Sequence, residues 1–133
     1  MRHHSLALLA LGVLPLAAGC NLLGPRDCTM DMHPAIEVEV RSAEAGAWLA
    51  NDATGVVTEG AYSDSLRPSR GTSVNGGMLW MALRGADERP GTYRVEVSVP
   101  GYVPWVRENV RVRDGECHVG SVGLEARLQP VAP

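Results

Sequence analysis

The sequence predicts an all-β protein, one antiparallel two-sheet sandwich of about seven short strands. Apolar and polar residues alternate with period two over residues 36–41 and again over residues 92–99, the pattern of strands with one buried and one wet face. Turn signals separate the apolar stretches at Pro90-Gly91, Pro100-Gly101 and Asp114-Gly115, spaced as in an all-β chain. A length of 133 residues, 45% of them hydrophobic and 20% charged, suits one compact core and excludes a disordered chain.

Taken in order, Ile36, Val38 and Val40 form the inner face of the first strand against Glu37, Glu39 and Arg41. Residues 43–46 supply a turn, Trp48 and Leu49 begin an apolar patch, and residues 55–58 with Tyr62 make a further short strand. Residues 63–77, rich in Ser, Arg, Gly and Asn, read as the longest loop. Residues 78–83 are continuously apolar, so the expectation is a strand covered on both faces. A polar turn over residues 84–91 leads into the strand that buries Tyr93, Val95, Val97 and Val99. Residues 103–113 form the next strand, with Val110 and Val112 inward, and Asp114-Gly115 is expected to turn it into a hairpin with the last strand, residues 116–128. There Val122, Leu124, Ala126 and Leu128 share one face and Val119 falls on the other, which predicts a bulge near Gly120 or Gly123.

The first residues read as an address rather than as fold. Arg2, His3 and His4 precede an apolar run over residues 6–16 and then Ala17-Ala18-Gly19-Cys20. That run is about half the ~20 residues a membrane-spanning helix needs, and its flanks are those of a cleaved signal peptide. Ala-Ala-Gly-Cys resembles the lipobox of bacterial lipoproteins, with Ala17 where Leu is usual, which implies a diacylglycerol thioether on Cys20 after removal of residues 1–19. Two acyl chains at ~0.8 kcal/mol per CH₂ anchor stably. Residues 20–34 then read as a tether, 35–128 as the domain and 129–133 as a tail. By the same resemblance Asn21 implies an outer-membrane address, facing the periplasm or the cell surface.

Residues 90–97, Pro-Gly-Thr-Tyr-Arg-Val-Glu-Val, then Gly101-Tyr102 and the closing Leu-Glu-Ala-Arg-Leu of residues 124–128, resemble carboxypeptidase regulatory-like domains. These are transthyretin-like (prealbumin-like, Ig-like) β-sandwiches appended to exported bacterial proteins. Glu59-Gly-Ala-Tyr62 stands where the family usually has Asp-x-x-Gly-aromatic. The resemblance implies a sandwich over residues 35–128 and neither peptidase activity nor any single ligand.

The charged residues limit the partners. The formal charge is -3 and every basic side chain is Arg, scattered among acids, which argues against nucleic acid. Three Cys are present; lipidating Cys20 leaves Cys28 and Cys117 as an even pair, expected to form a disulfide in an oxidising compartment. The alternative is a zinc site of Cys28, His33, Cys117 and His118, although adjacent residues 117 and 118 on a strand point to opposite faces. Ser73, His118 and Asp64 make a hydrolytic triad only on paper, and no nucleophile elbow, zinc-hydrolase or phosphate-loop motif occurs. Asn51-Asp52 and Asp27 with Asp31 lack the spacing of a calcium loop. Trp48, Trp80 and Trp105 read first as core, but Tyr102, Trp105 and Arg107 lie at a turn where flat rings suit a sugar or a peptide. The expectation is a non-enzymatic envelope module without a cofactor that recognises a protein or glycan, with ligand or metal binding at the Cys/His cluster as the alternative and a hydrolase behind both. Intact-mass measurement on protein from its native membrane should show a chain beginning at Cys20 and carrying diacylglycerol; an unlipidated mass would remove the anchor.

Overall fold

A computed structural model describes residues 27–132; the signal-peptide and Cys20 readings lie outside them. Among the described residues there is no helix, and seven strands follow one another: β1 (Ile36–Ser42), β2 (Thr54–Glu59), β3 (Tyr62–Val74), β4 (Gly77–Gly85), β5 (Gly91–Ser98), β6 (Trp105–Val112) and β7 (Val122–Leu128). They form one mixed sheet in the order β6-β5-β2-β3-β4-β1-β7. The sheet rolls until its two edge strands meet, so its shape is nearly that of a barrel.

The core lies inside the roll. Ile36, Val38 and Val40 of β1, Tyr93, Val95 and Val97 of β5, Val110 and Val112 of β6, and Ala126 and Leu128 of β7 are all buried, as period-two patterning requires of one inner face. The outer face carries ion pairs instead. Arg70 reaches Glu37 and Glu39, and Arg94 reaches Glu96 and Glu108.

Four sequence expectations are corrected. The sheet is not purely antiparallel, because β1 pairs with β7 in parallel, from Ile36 opposite Val122 to Ser42 opposite Leu128. Consequently Asp114-Gly115 does not join β6 to β7 as a hairpin. The strand after it begins only at Val122, because residues 116–121 hold a disulfide and a side-chain cluster instead of a ladder.

Residues 63–77 are not a loop but most of β3 and the turn into β4. The first part of β3 pairs with β2 and the part from Arg67 onward pairs with β4, so its backbone is satisfied by neighbours although Leu66 is its one buried side chain. Composition hid the strand because this segment crosses between the two halves of the sheet with water on its side chains. Asn75 and Gly76 close the hairpin with φ of 49° and 81°, the positive values that a two-residue turn of this twist demands.

The run over residues 78–83 is not covered on both faces: Ala82 and Leu83 are buried, whereas Met78 is exposed. β1 pairs β4 only from Ala82 to Gly85, so the start of β4 projects with β3 beyond the body. There the Asn51 amide stands in for a neighbouring strand, accepting from Trp80 N–H and donating to the Met78 carbonyl, each at 2.8 Å.

Pro90-Gly91 and Tyr93 are tied in by one polar cluster. Glu59 accepts from Thr92 N–H and pairs with Arg89, both at 2.6 Å, and a Cβ on Gly91 would fall 2.7 Å from that carboxylate. The buried Tyr93 hydroxyl donates to the Arg89 carbonyl at 2.8 Å and accepts from its guanidinium at 3.0 Å, while that guanidinium lies 4.0 Å over the Tyr62 ring. The Thr92 N–H, and then Arg89, hold the Glu59 carboxyl below its usual range. A depressed carboxyl stabilises the fold above its unfolded value and loses that contribution as pH falls through the folded value. Urea denaturation from pH 7 to pH 3 should therefore show a flatter acid limb for Glu59→Gln than for the parent chain; parallel limbs would remove Glu59 from the acid response.

Candidate functional site

Parallel pairing of β1 and β7 sets the starts of both strands side by side, and the segments leading into them meet at the same end of the sheet. Cys28 and Cys117 are bonded there, with Cα atoms 5.3 Å apart, within the range a disulfide spans. The His33 and His118 rings stack with centroids 4.0 Å apart and planes 6° from parallel. All four residues of the sequence-derived cluster thus come together. The two sulfurs bond each other, which leaves no thiolate to bind zinc while the bridge is intact. Stacking holds the two rings in parallel planes, so their in-plane nitrogens do not lie in one plane.

Glu88 organises this end. It lies in the turn before β5 with φ of 51°, close to Ala86 at 54°, and Asp64 anchors the turn by accepting from Ala86 N–H at 2.9 Å. The Glu88 carboxylate accepts from His33 N–H at 2.7 Å and from Val119 N–H at 3.4 Å, and lies 2.7 Å from His118 Nδ1. Its own N–H returns a bond to the His33 carbonyl at 2.9 Å. The His33 N–H, ahead of the smaller contributions from His118 and Val119, lowers the Glu88 carboxyl against the opposing effect of burial.

On its other side, His118 Nε2 is 3.0 Å from Thr29 Oγ1. Hydroxyl, imidazole and carboxylate in series is the arrangement in which a base activates a hydroxyl. Thr29 is exposed, and the direct effect of the series is to fix the ring of His118. The other paper triad does not assemble: Asp64 serves Ala86, Ser73 lies at the far hairpin, and His118 is bound by Glu88 and Thr29. Thr29 and Glu88 escaped the sequence reading, because Glu88 reads as one more polar residue of a turn and nothing local links it to a position 30 residues away.

Tyr102, Trp105 and Arg107 gather at a second place, the seam where the sheet edges meet. Tyr102 and Trp105 pack half-buried against the core and Arg107 is exposed. Trp105 lies opposite Val97 and Arg107 opposite Val95, so both share the face of those inward valines, although Arg107 is exposed. β6 and β7 share no ladder. Among the described residues, backbone bonds close the seam at its ends only: Val103 N–H to Gln129 O at 2.8 Å and Val131 N–H to Gly101 O at 3.0 Å at one, Gly120 N–H to Arg113 O at 2.9 Å at the other. Val103, Val106 and Val131 are exposed beside it. Arg107, Arg111 and Arg113 form no ion pair among the described residues.

A cleft of about 290 Å³ lies elsewhere, lined by Thr54, Gly55, Val56, Ser65, Glu96 and Ser98. Its one ionisable group, Glu96, is paired with Arg94. Among the described residues no group of three or more His, Cys, Asp or Glu side chains is placed to hold a metal ion. Comparison with known proteins finds no family model that matches the chain and no curated protein similar to it.

The disulfide closes a separation of 89 residues, for which the chain-entropy treatment gives about 4.6 kcal/mol of stabilisation. Cys28→Ala with Cys117→Ala should lower unfolding stability by about that amount in urea at fixed pH. A loss under ~1 kcal/mol would show that the β1–β7 ladder and Glu88 hold this end without the bridge.

Proposed function

We propose that the chain is a lipid-anchored envelope module, a carboxypeptidase regulatory-like domain of transthyretin-like type, that binds a protein or glycan of the cell envelope without catalysing a reaction. The observation that carries the reading is the β6–β7 seam. Two strand edges meet there without a ladder, and an unpaired edge is a ready template for another chain. Tyr102 and Trp105 supply flat partly exposed rings, Arg107 supplies a charge without an ion pair among the described residues, and exposed valines line the approach. Aromatic rings and Arg are the side chains that anchor binding surfaces.

The lipid at Cys20 belongs to the same proposal and rests on the sequence. It would hold the module at a membrane, with delivery to the outer membrane as the address that Asn21 suggests. The second reading, a ligand site at the other end, is favoured by the convergence of His33, His118 and Glu88.

A photoreactive residue at Val106, in protein expressed in its native envelope, should form one discrete adduct, whereas the same residue at Val56 on the cleft side should not. Arg107→Glu should abolish the Val106 adduct at unchanged thermal stability. Adducts of equal yield from both positions, or an adduct indifferent to Arg107→Glu, would remove the seam as the binding surface.

A further inference from the structure

We propose that Met30, Met32 and His33 form a surface site for a soft monovalent metal, Cu(I). Met30 is 98% exposed and Met32 67% exposed, the two highest values among the large apolar side chains of the described residues. Burying a Met side chain stabilises a fold, yet this segment places two of them in water within three residues. Exposure forfeits that contribution and leaves both thioether sulfurs open to a ligand.

The segment is fixed at both ends. Cys28 is bonded to Cys117, and His33 exchanges two hydrogen bonds with Glu88, His33 N–H to the carboxylate at 2.7 Å and Glu88 N–H to the His33 carbonyl at 2.9 Å. Residues 29–32 therefore run between two anchored points. Neighbouring Cα atoms are ~3.8 Å apart, so the Cα atoms of Met30, Met32 and His33 fall within roughly 11 Å of one another along the chain, and Met, unbranched with three rotatable bonds, adapts readily.

The imidazole donor is also prepared. Both ring nitrogens of His118 are engaged, by Glu88 and by Thr29. The ring nitrogens of His33 have no hydrogen bond among the described residues, while stacking on His118 holds the ring in place. The donors are then two thioethers and one imidazole, with no thiolate, since both nearby sulfurs are in the disulfide. Thioethers are soft and favour Cu(I). Magnesium and calcium require oxygen cages, and structural zinc sites are built on thiolates and imidazoles. Asp31, between the two methionines, adds a negative charge that draws a cation towards them.

The site is independent of the seam and of the reading given for it. The test uses the full chain carrying Cys20→Ala, so that no free thiol competes, with the remaining disulfide verified intact by thiol titration. Cu(I), kept reduced by ascorbate, is titrated against bicinchoninate. One equivalent should be withdrawn from the chelator. Met30→Leu with Met32→Leu, which swaps exposed side chains of similar size, should weaken binding at least tenfold, and Met78→Leu should leave it unchanged. X-ray absorption of the loaded parent chain should show sulfur and nitrogen neighbours around copper. Failure to compete with the chelator, or equal binding by the double leucine variant, overturns the proposal.

Discussion

The parallel pairing of β1 with β7 is the constraint on which the rest of the structure depends. A parallel pair places the starts of both strands at one end, so the chain entering β1 and the chain entering β7 arrive together. The Cys28–Cys117 bond and the His33–His118 stack follow from that geometry. It also sets β7 outside β1 as an edge strand, and the rolled sheet then returns that edge to β6. Antiparallel pairing of the same two strands would send residues 28 and 117 to opposite ends of the sheet and leave neither cluster.

The turn before β5 joins the core to this end. Arg89 and Pro90 lead Tyr93 into the interior, where the Tyr93 hydroxyl is satisfied by Arg89. One residue earlier, Glu88 faces the opposite way and gathers His33, His118 and Val119. Positive φ at Ala86 and Glu88 is the backbone cost of aiming successive residues at two different partners, and hydrogen bonds on both sides offset it. The histidine end is therefore an extension of the buried framework, with one turn serving both.

The parts of the fold legible in the sequence were those where a side chain's direction is decided by its neighbours along the chain. Ile36, Val38 and Val40, and Tyr93, Val95 and Val97, declare an inner face because water and core lie on alternate sides of a strand. β3 is not legible in the sequence because most of its side chains stay in water, and its existence rests on backbone pairing that leaves no apolar pattern. Asn75-Gly76 was the available signal, a dipeptide suited to a two-residue hairpin. At the candidate sites, Cys28 and Cys117 are legible through the number of cysteines, His118 through its place next to Cys117 and His33 through its place five residues after Cys28. Glu88 and Thr29 are not, since only folding brings them to His118.

By itself the sequence determined the all-β class, the inward residues of β1, β5 and β7, and the pairing of two cysteines once a third is assigned elsewhere. Each is settled by local alternation or by counting. The tertiary structure alone decided which strands are neighbours, that the first and last run parallel, that the sheet rolls to an unladdered seam, and that His118 lies between Glu88 and Thr29. Those are relations between residues far apart in the chain. They depend on the closure of one rolled sheet, which no short stretch of residues encodes.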